Sequence, residues 1–150
     1  MSGLESLYQE LILEHSKRPH GKGVAAAEGA SATSHQRNPI CGDEITLRVH
    51  VEDDRVTSVT WEGAGCSISQ ASASMLAGLV DDREGRMPRD EATALIDGFR
   101  TALRSRGTIA IDEETYGDAE ALSGVSKYTA RVKCAMLAWV AFEDALARAS

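Results

Sequence analysis

Residues 44–51 constrain this chain more tightly than any other stretch. Ile45, Leu47, Val49 and Val51 alternate with Glu44, Thr46, Arg48 and His50, a period of two that suits an extended strand with one buried face. Glu52-Asp53-Asp54-Arg55 supplies a polar turn, and Val56 to Trp61 is β-branched and aromatic enough to return as the hairpin partner. Val59 and Trp61 share a face while Val56 falls on the other. That phase error predicts a bulge or a partly covered outer face.

Helical periodicity brackets this hairpin. Leu4, Leu7, Tyr8, Leu11 and Ile12 recur at three and four, predicting an amphipathic helix over 4–16 that Pro19, Gly21 and Gly23 end. The segment 24–37, rich in Ala, Ser and Thr without strong periodicity, reads as a loop or a weak edge strand. Gly63-Ala64-Gly65 breaks the second strand immediately before Cys66, and Ile68, Ala71, Ser72, Met75, Leu76 and Leu79 continue at helical spacing. Between Asp81 and Lys127 the chain is charged and punctuated, with one helix over 89–103 and a shorter one near 119–122. Asp112-Glu113-Glu114 lacks the alternating ligands and central Gly of a calcium loop and reads as a solvated acidic turn. The final helix, about 130–147, is apolar around more than a stripe and so is expected deep in the core, with Glu143 marking where it emerges into solvent.

A chain of 150 residues, 43% hydrophobic, suits one domain spanning 1–150. No apolar run approaches the roughly 20 residues that span a bilayer, and the first residues show no secretory signal, so a cytoplasmic protein with no membrane partner is expected. A net charge of −7 opposes nonspecific binding to a phosphate backbone, so no nucleic-acid partner is expected.

Three cysteines cannot close a disulfide set within one chain, so metal binding, chemistry or burial must explain them. Cys41 and Asp43 stand two positions apart at the mouth of the first strand, with Gly42 between them to allow a tight turn. Thiolate and carboxylate are both zinc ligands. Cys66 falls at a helix start, where unpaired backbone N–H groups favour an anionic sulfur. Cys134 sits beside Lys133 and three residues past Arg131, which bring positive charge to the thiol. A free Cys also packs as a small hydrophobe, but three such placements favour a convergent site. Gly63-x-Gly65 lacks the remaining glycines and lysine of a phosphate loop, and His15, His20, His35 and His50 fit no paired-ligand pattern and read as surface residues.

Asn38-Pro39-x-Cys41-Gly42-Asp43, Gly63-x-Gly65-Cys66-Ser67-Ile68-Ser69-x-Ala71-Ser72-Ala73-Ser74-Met75 and Arg131-Val132-Lys133-Cys134-Ala135-x-Leu137-x-Trp139 together resemble the IscU/NifU N-terminal family of iron-sulfur assembly proteins. Lys133, where scaffolds of the IscU type carry a histidine, and the long stretch between Cys66 and Cys134 place the resemblance nearer the SufU branch. A Leu-Pro-Pro-Val-Lys motif for a dedicated chaperone is absent.

The resemblance implies a compact α+β fold, a small three-stranded antiparallel sheet flanked by helices. It further implies one zinc ion bound by Cys41, Asp43, Cys66 and Cys134, with Cys41 as sulfur acceptor. The implied partners are a SufS-type cysteine desulfurase, which hands over a persulfide, and downstream iron-sulfur assembly proteins. Arg131 and Lys133 would steady an anion or the docking contact, giving Cys41, Arg131 and Lys133 as the catalytic set. Cys41 is the ligand expected to leave the metal, because Gly42 frees its loop while Cys66 and Cys134 are anchored on helices. Two rivals use the same residues: a scaffold on which the four ligands assemble a [2Fe-2S] cluster, since soft thiolates accept either, and a purely structural zinc domain.

Overall fold

The computed structural model describes residues 3–23, 30–38 and 42–149. The alternating stretch forms strand β2, Asp43–Glu52, with Asp43, Ile45, Leu47, Val49 and Val51 facing inward. Strand β1, Ala30–Asn38, pairs antiparallel along one side of β2, from Ala30 opposite Val51 to Asn38 opposite Asp43. Strand β3, Arg55–Ala64, pairs along the other side. From residue 30 on, the weakly patterned segment is thus an edge strand, while 24–29 lie outside the described residues; β2 supplies its hydrogen bonds, and no strong alternation of its own is required.

The sheet has four strands in the order β1-β2-β3-β4, not three. β4 is the dipeptide Met87–Pro88, which pairs with Arg55 and Val56 at the start of β3. Two residues are too few to show a period. They are held in place by the full burial of Met87 and by the Arg89 N–H, which donates to the Asp54 carbonyl at 3.1 Å.

The phase error in β3 resolves as a bulge. His50 faces Ser58, but the next residue, Val51, faces Val56, leaving Thr57 as the extra residue. Its hydroxyl donates to the His50 carbonyl at 3.1 Å. One inserted residue reverses the alternation, so Val56, Val59 and Trp61 are all buried on one face. The β2–β3 turn places Asp53 and Asp54 at φ of 52° and 61°, the double left-handed geometry of a two-residue hairpin that short polar side chains tolerate. β3 also extends past Trp61 to Ala64, so only Gly65 stands between strand and helix start.

Helix α1 covers Gly3–Lys17, α2 Ser67–Asp82, α3 Arg89–Arg104, α4 Glu113–Tyr116 and α5 Thr129–Arg148. The short helix expected near 119–122 is longer, a 3-10 helix over Gly117–Lys127. α5 packs on β1 and β2, and α2 packs on β3, α1 and α5. α5 buries six consecutive residues, Cys134 to Trp139, which makes it the central helix. The small Ala and Ser side chains of α2 let it approach closely. Trp139 stacks on Phe99 of α3, with ring centroids 4.1 Å apart and planes 16° apart.

Two expectations change. His15 is not a surface residue: it is 7% exposed, and its ring contacts Ser74 Oγ of α2 at 2.7 Å and Asp118 Oδ2 of the 3-10 helix at 2.9 Å. An imidazole with both nitrogens partnered is buried without an orphan polar group. Glu143 does not mark the emergence of α5, because Ala145, Leu146 and Ala149 beyond it are buried. It is instead a surface acceptor for Arg100 Nη2 at 2.7 Å. Among the described residues no helix is long and apolar enough to cross a membrane.

Candidate metal centre

Three elements converge at the start of β2. Asp43, its first residue, is 1% exposed although it is a carboxylate. Burial at that cost requires partners, and the backbone of Cys66 is one: its N–H donates to Asp43 Oδ1 at 2.9 Å. Cys66 is the N-cap residue of α2 and makes no side-chain cap of its own, so a carboxylate from the sheet takes that role and meets the positive end of the helix. Oδ1 therefore anchors the group. Oδ2 stands 3.6 Å from Cys66 Sγ.

Gly65 makes this approach possible. It adopts φ +155°, and a Cβ built there would land on Asp43 Oδ1 and come within 2.9 Å of Ser69 Oγ. Sequence reading took the glycine pair only as a strand break; the glycine is a cradle for the carboxylate. Ser69, 7% exposed, steadies the same turn by donating to the Cys66 carbonyl at 3.0 Å, and Gln70 Nε2 donates to the Gly65 carbonyl at 3.1 Å. Both residues were missed as supports. The hint was their spacing, one helical turn from Cys66.

Cys134 enters from α5, 4% exposed, with its thiol 3.8 Å from the Ala130 carbonyl one turn back. Its Sγ, Cys66 Sγ and a carboxylate oxygen of Asp43 all lie within 4.8 Å of one another. Zinc bonds of about 2.0–2.3 Å in a tetrahedron separate ligand atoms by roughly 3.5–3.8 Å. The donor set therefore fits zinc with a contraction of at most about 1.3 Å at any pair. Cys66 is exposed where Cys134 and Asp43 are buried, so the cluster has an open side.

Cys41 lies outside the described residues, as do Pro39 and Ile40. The connection that contains it is bounded by the Gly42 N–H, which donates to the Asn38 carbonyl at 2.8 Å, with Gly42 at φ +74°. Arg131 and Lys133 are exposed on the first turns of α5; the Arg131 guanidinium sits 5.4 Å from the centroid of the Tyr128 ring. The structure brings Asp43, Cys66 and Cys134 together. None of the four histidines joins them: His35 bonds Glu44 at 2.6 Å on the sheet surface.

Known proteins are similar to this chain over nearly its whole length. Residues 7–135 match the family model described as the NifU-like N-terminal domain. The chain is 39% identical over 147 residues to the zinc-dependent sulfurtransferase SufU of Bacillus subtilis, covering 98% of this chain and 94% of that one. It is 37% identical over 150 residues to the iron-sulfur cluster assembly scaffold protein IscU of Streptococcus pyogenes, covering 100% of this chain and 89% of the other. Among solved structures, a Fervidobacterium islandicum protein assigned as an iron-sulfur cluster assembly scaffold for the SUF system superposes with a TM-score of 0.74 at 31% identity, covering 96% of this chain and 99% of that one. A buried carboxylate and two thiols held on a four-stranded sheet and two helices, in a chain matched over 129 of its residues by one family model, place the protein in the NifU-like N-terminal domain family, with relatives of both the SufU and the IscU type.

Proposed function

We propose that this protein relays sulfur for iron-sulfur cluster assembly, receiving it at Cys41 from a SufS-type cysteine desulfurase in the cytoplasm and passing it to downstream assembly proteins. The observation that carries this reading is the convergence of Asp43, Cys66 and Cys134 on one point, in a chain similar end to end to a relative named a zinc-dependent sulfurtransferase. Asp43, Cys66 and Cys134, with Cys41 as the fourth ligand, would hold zinc. The metal would supply thiolate character at neutral pH and order to the site.

The transfer is a thiol–persulfide exchange. Cys41 attacks, as thiolate, the terminal sulfur of the donor's persulfide; a new S–S bond forms on Cys41 Sγ, the donor's S–S bond breaks, and the donor cysteine departs as thiolate. No net oxidation occurs. Arg131 and Lys133, exposed on the turns of α5 that lead to Cys134, would attract the anionic donor group. Asp43, fixed by the Cys66 N–H, keeps the strand end in place while the Gly42 turn allows its neighbour to reach outward.

Alanine production by the desulfurase, with cysteine and a reductant, tests the reading. Wild type should raise the rate and Cys41→Ala should abolish that stimulation; undiminished stimulation removes Cys41 as acceptor. The scaffold reading is favoured by the full-length similarity to a relative of the IscU type. Protein purified without oxygen separates the two: bound zinc and no cluster on adding iron and sulfide fits the relay, whereas a [2Fe-2S] chromophore fits the scaffold.

A further inference from the structure

Two of the cysteines face each other across the start of α2 and the first turns of α5. Cys66 Sγ and Cys134 Sγ lie within 4.8 Å of one another, and neither is in a disulfide. A disulfide holds its sulfurs about 2.05 Å apart, so an approach of at most about 2.8 Å closes the pair. One step between staggered rotamers displaces a Sγ by about 3 Å. The gap is therefore within the reach of side-chain rotation.

The two thiols differ in anchoring and in access. Cys134 lies inside α5 and is 4% exposed. Cys66 precedes the first turn of α2 and has no side-chain cap bond to give up, and its thiol contacts are long, 3.6 Å to Asp43 Oδ2 and 3.9 Å to Ser69 Oγ. The Cys66 N–H stays on Asp43 Oδ1 at 2.9 Å, so the helix start keeps its place while the side chain turns. Cys66 is exposed and Cys134 is buried. An oxidant in solution meets Cys66 first, with the Cys134 sulfur behind it.

We propose that Cys66 and Cys134 form an oxidation site, which a peroxide closes into an intramolecular disulfide that dismantles the metal centre. The Cys66 sulfur attacks one peroxide oxygen. The O–O bond breaks, the other oxygen leaves as water with the thiol proton, and Cys66 becomes a sulfenic acid. The Cys134 sulfur then attacks the Cys66 sulfur; the S–S bond forms, the S–O bond breaks, and the hydroxyl leaves as a second water with the Cys134 proton. Each thiol has lost one electron and one proton, and the peroxide has been reduced to water. The bridge takes two of the four residues that would hold zinc and leaves Asp43 and Cys41, too few for a tetrahedral site. The ion is released, and a dithiol reductant restores the pair. The inference does not rest on the relay reading, because a relay, a scaffold and a structural zinc domain all use the same two thiols.

The test treats the zinc-loaded full chain with hydrogen peroxide in stepped excess. Zinc is read with a chromogenic chelator, disulfides by peptide mapping, and intact mass without reduction. Wild type should give a linked Cys66–Cys134 peptide, a mass loss of two hydrogens and zinc released in step with the bridge, with helical circular dichroism retained. Dithiothreitol should restore the thiols and zinc binding. Cys41→Ala should give the same linked peptide. Cys134→Ser lacks the second sulfur, so Cys66 should be trapped by dimedone or run on to the sulfinic acid; should this variant not fold, the maps of the other two proteins decide alone. A wild-type bridge that includes Cys41 overturns the proposal. So does a covalent dimer on a non-reducing gel, a sulfinic acid at Cys66 without a bridge, a bridge formed only as helix content is lost, or thiols that persist at roughly tenfold excess of peroxide.

Discussion

At Gly65 a missing side chain decides the chemistry. The Asp43 carboxylate occupies the space in which a Cβ would stand, and from there it accepts from the Cys66 N–H at the start of α2 and turns its second oxygen to the Cys66 thiol. Gly65→Ala must therefore either push the carboxylate off the Cys66 N–H or strain a backbone held at φ +155°, at a cost of about 1–3 kcal/mol. Displacing Asp43 also removes the hard oxygen from a set of soft sulfurs. Gly65→Ala is expected to lower zinc affinity in competition with a chelator and to lower the urea midpoint. A variant that binds zinc as wild type does would show that the site re-forms around the added methyl and that the cradle is dispensable.

The positions of two helices set the distance between the two thiols of the cluster. α2 carries Cys66 at its start and α5 carries Cys134, and one fully buried hydroxyl ties their register: Ser72 Oγ donates to the Ala135 carbonyl at 2.6 Å and accepts from Trp139 Nε1 at 3.0 Å. Ala135 is the residue after Cys134. Ser72→Ala leaves the Trp139 N–H unpaired in the core, for a predicted loss of about 1–3 kcal/mol by urea denaturation. Zinc affinity should fall as well, since the helices are freed to slide; a stability loss with unchanged affinity would make the hydroxyl a packing feature only. The pattern that exposed β2 and the helices in the sequence could not expose this bond, because periodicity assigns residues to faces and does not say which face meets which. The same limit applies to His15, whose partners lie 59 and 103 positions away, and to β4, whose two residues carry no period. The β3 bulge was legible because misphased valines leave a trace in the pattern. Asp43, Cys66 and Cys134 could be nominated by their neighbours, whereas their meeting point depended on how β2, α2 and α5 pack.

Across the whole molecule the far end of α5 is tied to the edge of the sheet. Ser34 of β1, 1% exposed, donates its hydroxyl to Asp144 Oδ2 at 2.7 Å. Arg148 pairs with the same oxygen at 3.1 Å and also donates to the Thr33 carbonyl. The clamp matters to the site because β1 leads through Asn38 into the connection that contains Cys41, and α5 leads back to Cys134. The Ser34 hydrogen bond, then Arg148, hold the Asp144 carboxyl below its ordinary range. A carboxyl whose value is lower in the folded than in the unfolded chain stabilises the fold fully above the unfolded value, about 3.9. That contribution is lost as pH falls through the lower, folded value, because the native state must then take up a proton it resists. Asp144→Asn keeps an acceptor for Ser34 and removes the charge. The variant is therefore expected to be less stable than wild type at neutral pH, with a gap that closes as the pH drops below about 4, while acid effects of the other carboxylates act on both proteins alike. Urea midpoints for the pair measured from neutral pH down to the acid limit of folding give the comparison. A gap that stays constant across that range would mean the Asp144 charge contributes nothing to holding α5 against β1, and that hydrogen bonding and apolar packing close this end of the molecule alone.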